Sequence, residues 1–348
     1  MKAQVDAEAL ADASRTAASI ARGEITGCLL IEAAGDHLVI TGGDGDTYIE
    51  VKIRANVIRP GTVATPAKVF AKATPKLTGD VLLTEDDEGR LLVESLVSVL
   101  TLPTIDASQY PQIRWPDTEP VDVSECWDRL RNITYAASLV MEPRFKAVKL
   151  LPDGWAEAYD KTRMARTRIP DGLSAAVRRD SIEFAAKVIE DSVSVSTGPN
   201  GVAFYGDGVR IHAAVVAGEV ESAAVPQVEE WLAAGSTFSC KRKDFLEAIG
   251  LIEVVRGDTI HPFRLDVNDG QANIRASSVD IGSVSSDFPV QGDLPWPIGM
   301  TTHFVKDVLA RCDADEVTFQ FGSAQNHPIV VESDGITHLF GPNRAYKD

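Results

Sequence analysis

The sequence predicts an α+β protein built from three repeated units, because one order of elements recurs three times along its 348 residues. Each unit begins with a helix-like stretch, continues with alternating apolar strands, and ends with a second helix and a strand pair. Dividing 348 by three gives 116 residues per unit, an ordinary size for a small domain. Hydrophobic residues make up 44% of the chain, so each unit can bury a core.

The predicted helices share apolar residues at three- and four-residue spacing, as a helix lying on a sheet requires. In the first unit these residues are Leu10, Ala13 and Ala17. The opening helices are expected within residues 6–23, 121–139 and 238–256, and the second helices within 65–77, 178–191 and 301–315.

Strands and turns complete each unit. The strand pairs that follow the second helices are expected over residues 81–95, 192–206 and 316–333. Asn268–Gly270 is a hairpin signal, and residues 42–47 are interpreted as a tight turn because they lack the spacing of a calcium loop. Stretches rich in Pro and acids at Trp115–Val121 and Pro226–Trp231 divide the chain into domains 1–116, 117–228 and 229–348.

Composition limits the class of protein. Lys plus Arg is 34 and Asp plus Glu is 51, which gives a net charge of −17 and argues against a protein that coats nucleic acid over its whole surface. No apolar run reaches membrane-spanning length, and no signal peptide is evident. The four cysteines are far apart, and we expect reduced, buried thiols in a cytoplasmic protein. They are Cys28, Cys126, Cys240 and Cys312.

The basic residues concentrate in the six predicted helices. Taken as 7–22, 65–76, 122–135, 176–190, 240–255 and 301–311, these hold 15 of the 34 basic residues and 12 of the 51 acids. One interpretation is that Lys and Arg simply suit solvated helix faces. The other is that the helices face phosphates, which need no base-reading side chains. The candidate DNA-binding residues are Arg15, Arg22, Lys68, Lys72, Lys76, Arg129, Arg131, Arg178, Arg179, Lys187, Lys241, Arg242, Lys243, Lys306 and Arg311.

Signals for catalysis or metal binding are weak. The six histidines show no clustered ligand spacing. The sequence has no dinucleotide fingerprint, no Walker A sequence and no nucleophile elbow. We therefore expect no metal, no cofactor and no catalytic residue, and we keep open an enzyme whose site has no recognisable motif.

Four segments in order resemble the bacterial DNA polymerase III beta subunits, the sliding clamps. Thr101–Arg114 resembles the end of the family's first domain, with Tyr110 and Pro111 as its aromatic–proline pair. Ala158–Ala165 resembles the family's "A-T-D-x-x-R-L-A" strand. Phe304–Leu309 resembles its "Y-L-x-D-x-L" helix, and Leu339–Arg344 resembles its closing "V-x-x-P-M-R".

This resemblance implies a fold and a function. Each domain would pack two helices against two antiparallel sheets, and two chains would close head to tail into a ring with pseudo-sixfold symmetry. Such a ring encircles duplex DNA without sequence preference and acts as a non-catalytic processivity factor. The implied partners are a second copy of the chain, double-stranded DNA, a DNA polymerase, a clamp loader and other proteins with clamp-binding peptides; no membrane is involved.

The resemblance also implies two contact sites. Partner peptides would enter a pocket formed by Tyr159, Thr162, Arg163, Met164, Val225, Pro226, Pro328, Leu339, Phe340, Pro342, Asn343 and Arg344. The dimer interface would pair an edge of domain one near Val97 and Val99 with an edge of domain three near Ile252 and Val254, although ordinary burial explains these residues equally well.

The pocket departs from the family pattern. Asn343 stands where the family often has Met, and Gly341 replaces a larger residue. An alternative function is therefore a clamp-like protein that does not encircle DNA and sequesters clamp-binding peptides.

Overall fold

The computed structural model describes residues 1–138, 140–218, 220–223, 228–256, 262–278 and 281–343, with the Arg256 side chain left out. The chain divides into two compact units, each formed by two segments of the sequence. Unit 1 comprises residues 1–125 and 173–216, and unit 2 comprises residues 126–172 and 217–348. The division into three domains at residues 116 and 228 stays a prediction.

The predicted threefold repeat is visible in the order of elements. Each repeat reads strand, helix, at least four strands, helix and three strands. In the first repeat, the elements are β1 (Lys2–Asp6), α1 (Ala7–Ala18), β2 (Cys28–Ala34), β3 (His37–Gly43), β4 (Thr47–Arg54), β5 (Asn56–Arg59), β6 (Gly61–Pro66), α2 (Ala67–Ala73), β7 (Asp80–Glu85), β8 (Leu91–Glu94) and β9 (Val99–Leu102).

The second and third repeats follow the same order. The second contains β10 (Val121–Asp122), α3 (Trp127–Ile133), β11 (Ala147–Leu151), β12 (Trp155–Tyr159), β13 (Arg163–Arg168), β14 (Ala175–Arg178), α4 (Arg179–Val188), β15 (Ser194–Gly198), β16 (Gly201–Gly206) and β17 (Val209–Ala213). The third, preceded by α5 (Val228–Ala233), contains β18 (Ser236–Lys241), α6 (Arg242–Arg256), β19 (Pro262–Asn268), β20 (Gln271–Ser278), β21 (Gly282–Gly292), β22 (Ile298–Thr301), α7 (Thr302–Leu309), β23 (Glu316–Phe321), β24 (Ile329–Ser333) and β25 (Ile336–Phe340).

Antiparallel sheets carry these helices, which confirms the predicted α+β class. In unit 1, one sheet has the order β5-β1-β7-β8-β9 and a second has the order β10-β15-β16-β17-β4-β3-β2-β6. In unit 2, the strands run β11-β12-β13-β25-β24-β23-β18-β21-β20-β19-β22. Neighbouring strands in these orders pair antiparallel. α1 packs on β3 and β4, as α6 packs on β20 and β21.

Both predicted turns are confirmed. Asp269 and Gly270 have φ of 52° and 73° between β19 and β20, the positive values that a two-residue hairpin turn requires. Between β3 and β4, Asp44 Oδ1 accepts hydrogen bonds from the backbone N–H of Asp46 (3.0 Å) and Thr47 (2.8 Å). This side chain closes the turn by hydrogen bonds to the backbone.

The helices are shorter than predicted, and for two of them the residues at the helix end give a physical reason. α3 was expected over much of 121–139, but the Thr134 hydroxyl donates to the Arg131 carbonyl at the helix end, a contact that competes with the helical ladder. α2 ends at Ala73, before Pro75, which cannot donate a backbone hydrogen bond.

Each unit has its own apolar core. In unit 1 it includes Leu10, Leu29 and Phe70, and in unit 2 it centres on Phe238, whose ring lies 5.2 Å from that of Phe319. The four cysteines are buried, as the sequence predicts. Among the described residues, no helix is long and apolar enough to cross a membrane.

Candidate functional site

The predicted DNA-binding residues differ in whether they are neutralised by acids. Six of the fifteen lie within 4.0 Å of a carboxylate oxygen: Arg15, Arg131, Arg178, Arg179, Lys306 and Arg311. Across the described ranges, nine have no such partner: Arg22, Lys68, Lys72, Lys76, Arg129, Lys187, Lys241, Arg242 and Lys243. The second group contains the exposed lysines of α2 and its following turn, which offer unneutralised charge.

A groove in unit 1 brings basic residues of two repeats together. It lies between α1 and α4, has a volume of about 800 Å³, and is lined by Arg15, Arg22 and Lys187. Asp12 and Asp207 also line it. The groove therefore joins predicted DNA-binding residues that are more than 160 positions apart in sequence.

Strand register divides the predicted peptide pocket between two faces of one sheet. Arg163 of β13 lies opposite Phe340 of β25, and Met164 lies opposite Leu339. Because successive side chains of a strand point to opposite faces, Met164 and Leu339 share one face while Arg163 and Phe340 share the other. Tyr159 lies opposite Met164 and so belongs to the first face.

The first face carries an apolar patch, formed by Tyr159, Met164 and Leu339. The Tyr159 ring meets the Phe145 ring edge-on at 5.7 Å, and Lys149 Nζ lies 5.0 Å from the Tyr159 ring centroid. Phe145 and Lys149 are not among the residues that the sequence motifs predict for this pocket. The sequence indicates these two residues only by their position: Phe145 precedes β11 and Lys149 lies within it.

Two buried charged residues beside the patch, Lys149 and Glu157, hold the segment 221–223. Lys149 and Glu157 lie opposite each other on β11 and β12 and are 8% and 1% exposed. Lys149 Nζ donates to the Glu221 carbonyl (2.6 Å), while Glu157 accepts from the Ser222 hydroxyl (2.7 Å) and the Ala223 N–H (2.8 Å). These contacts place the segment against the patch. Val225, Pro226 and Arg344 of the predicted pocket lie outside the described residues.

The opposite, helix-side face fixes Arg163. Its guanidinium donates to Asp160 (3.1 Å) and Asp307 (2.6 Å) and lies 5.4 Å from the Tyr135 ring centroid. Both carboxylates neutralise Arg163, so in this arrangement it orders α7 against β13.

The chain after β25 closes the end of this sheet. The Gly341 N–H donates to the Thr162 carbonyl (2.8 Å), and Asn343 donates through its backbone to Gly299 (2.8 Å) and through its side chain to Thr301 (3.2 Å). Both of these hydrogen bonds of Asn343 are made to β22. Pro328, which precedes β24, and Pro342 are half-buried.

His338 is a buried neutral histidine beneath the helix-side face. Its Nδ1 lies 2.8 Å from the Tyr135 hydroxyl, and burial together with the Arg311 charge lowers its pKa to about 4. A histidine whose folded pKa lies below its unfolded value of about 6.5 stabilises the fold above pH 6.5. That stability is lost as the pH falls from 6.5 to 4.

We expect His338→Gln to flatten this pH dependence, because an amide does not titrate. The wild-type free energy of unfolding should fall by about 3 kcal/mol more than that of the variant between pH 6.5 and 4. Denaturant titrations at each pH measure the difference, with Tyr135→Phe as the control that keeps the histidine. Parallel pH profiles for wild type and His338→Gln would contradict the assignment.

The predicted dimer-interface residues have different environments. Val97 and Val99 are 82% and 64% exposed at the edge strand β9, and Val254 is 73% exposed on α6. Ile252 is fully buried, which corrects its place in an interface and supports the interpretation as a core residue. Its neighbour Leu251 is exposed instead, because adjacent positions on a helix point to different sides.

Comparisons with known proteins agree on one family. Residues 2–114 match the family model of the DNA polymerase III beta subunit, N-terminal domain. The beta sliding clamp of Caulobacter vibrioides is 22% identical over 346 residues, covering 91% of each chain.

Solved structures give the same result. A DNA polymerase sliding clamp from Bacillus subtilis superimposes with a TM-score of 0.89 at 19% identity, covering 99% of this chain and all of the other. A sliding clamp from Pseudomonas aeruginosa, bound to griselimycin, gives a TM-score of 0.84 at 20% identity, covering 99% of each chain. The fold of this chain is that of these proteins.

Proposed function

We propose that this chain, a divergent member of the DNA polymerase III beta subunit family, acts as a DNA sliding clamp. Two copies close head to tail into a ring around duplex DNA. The ring tethers a polymerase and other partners that carry clamp-binding peptides, and it performs no catalysis itself. A partner held on the ring stays at high effective concentration near its DNA substrate.

Strand pairing between repeats carries this proposal. The last strand of the second repeat, β17, pairs antiparallel with β4, the third strand after the opening helix of the first repeat. The last strand of the third repeat, β25, pairs in the same way with β13, the equivalent strand of the second repeat. Each pair covers five residues.

In the described part of each chain, two strands equivalent to these do not pair with a strand of another repeat. β9 is the last strand of the first repeat and ends its sheet. In the third repeat, β21 pairs with β20, and within the described part of the chain it meets β18 only at residues 290–292. By the same rule, β9 of one copy would pair with β21 of the other. A two-fold arrangement makes this contact twice and leaves no such edge open.

Exposed apolar side chains mark the same two places. Of the nine large apolar side chains that are exposed among the described residues, six lie at or beside these edges. They are Leu96, Val97 and Val99 at β9, and Leu251, Val254 and Ile281 on α6 and before β21. Concentrated exposed apolar surface is typical of an interaction site.

The unneutralised basic residues support DNA contact. Long Lys side chains on helices bind phosphates without fixing a register along the duplex, which permits sliding. The apolar patch with its flanking segment 221–223 supports capture of a short peptide by a few apolar anchors.

Small-angle X-ray scattering with a DNA-retention assay tests the function. We expect a mass near twice 37.4 kDa, the scattering minima of a hollow disc, and retention on closed circular DNA that is lost when the DNA is cut. A monomer that binds peptides but is not retained would contradict the ring and favour peptide sequestration.

A further inference from the structure

We propose that Trp155, Arg166 and Arg168 form a second contact point for partner peptides, one that binds acidic side chains. We call these three residues the arginine–tryptophan cluster. The Arg166 and Arg168 guanidinium carbons lie 4.5 and 3.9 Å from the Trp155 ring centroid. The inference rests on the proposed function, because it extends the apolar patch to a longer peptide site.

The two arginines of the cluster have no carboxylate partner among the described residues. Neither arginine has a carboxylate oxygen within 4.0 Å in the described ranges, and Arg168 donates only to the Asp153 carbonyl at 3.3 Å. Arg166 Nε is buried with no hydrogen-bond partner among described atoms. The carboxylate of Glu157, opposite Arg166 on the neighbouring strand, accepts from Ser222 and Ala223.

Other arginines of unit 2 show the contrast. Arg163 is held by Asp160 and Asp307, while Arg264 and Arg275 share Asp266. Two adjacent guanidinium groups repel each other, and an anion bound between them removes that cost. Unlike these ion-paired arginines, the cluster offers two guanidinium groups stacked on one ring to a partner's carboxylates.

The cluster and the apolar patch share one sheet face. Tyr159, Glu157 and Trp155 alternate along β12, and Met164, Arg166 and Arg168 alternate along β13. Tyr159 and Trp155 lie four positions apart on β12, a distance of about 13 Å. An extended peptide covers it with about four residues.

Segment 221–223 limits the path that a bound peptide can take between the apolar patch and the arginine–tryptophan cluster. It covers Glu157 on the β12 side, whereas Thr337, opposite Arg166 on β25, is only half-buried. A peptide anchored on Met164 and Leu339 would therefore run over β13 and β25 toward Arg166 and Arg168.

The chemistry favours a carboxylate peptide over a nucleic acid. The planar guanidinium fork matches carboxylates, and stacking on an aromatic ring fixes its orientation. Stacked arginines occupy the Trp155 ring, which is thereby unavailable for the base stacking that single-stranded nucleic acids use.

Two fluorescein-labelled peptides test the proposal by fluorescence anisotropy. Both carry Leu and Phe anchors, followed after four residues by either three Asp or three Asn. We expect wild type to bind the Asp peptide about tenfold more tightly at low salt, with the preference shrinking as salt rises. In Arg166→Gln/Arg168→Gln the preference should fall below about twofold, while affinity for the Asn peptide is unchanged.

Matched variants separate the possible outcomes. Arg54→Gln/Arg275→Gln makes the same change in net charge elsewhere and should keep the preference, and Arg166→Lys/Arg168→Lys should keep part of it. Equal binding of both peptides to wild type, or a preference that survives in Arg166→Gln/Arg168→Gln, would overturn the cluster alone. Failure of both peptides to bind would overturn the patch and the cluster together. A dimer that is not retained on DNA would instead refute the proposed function.

Discussion

We expect Val97→Glu/Val99→Glu to convert the proposed ring into monomers and to abolish retention on circular DNA. Burying the two valines against a second copy contributes about 1.5–3 kcal/mol each, and a carboxylate at the same place would be buried without a partner. Together these effects weaken the dimer by at least about a thousandfold. Scattering mass and sedimentation at micromolar concentration measure the change.

Val140→Glu is the matched control, because Val140 is also an exposed valine, at 89% exposure, but lies in the segment between α3 and β11 and belongs to neither β9 nor β21. It should remain dimeric. Peptide affinity should survive in the Val97→Glu/Val99→Glu variant, since the apolar patch is in another part of the chain. A variant that stays dimeric would show that β9 is not the contact.

The second large effect concerns the lysines of α2. We expect Lys68→Glu/Lys72→Glu/Lys76→Glu to leave the dimer intact while retention on circular DNA drops. All three side chains are exposed, and the described residues provide them with no carboxylate partner. The slope of affinity against salt concentration should fall by about one unit for each phosphate that the variant no longer neutralises.

Lys146→Glu/Lys161→Glu provides a charge-reversed control outside the helices and should retain DNA almost normally. If this control and the α2 variant lose DNA equally, the effect comes from net charge and not from a lining surface. If neither loses it, the α2 lysines do not face DNA.

Sequence patterns predicted a local turn well and the extent of one long strand poorly. Hairpin chemistry is local, so Asn268–Gly270 was sufficient to place the turn between β19 and β20. In contrast, β21 is a continuous strand of 11 residues that includes Gly282, Ser283, Ser285 and Ser286. Its sequence lacks the apolar alternation of a half-buried strand. Sequence patterns therefore could not predict this strand or its open edge, which only the pairing with β20 reveals.

Sequence resemblance selects candidate pocket residues but does not predict their arrangement. Family resemblance brought Tyr159, Arg163, Met164 and Leu339 together, yet only the register of β13 with β25 reveals that Arg163 faces the helices. Likewise, the charge count could not distinguish Lys306, which pairs with Glu253, from the unneutralised Lys72.

The length of β9 has a consequence for how long a ring survives. Its four residues (Val99–Leu102) are fewer than the five that join repeats inside the chain. At about 1 kcal/mol per hydrogen bond, such a ladder can unzip without unfolding either chain. Differently tagged rings mixed in solution would then exchange their halves, and DNA entry would need only one such unzipping.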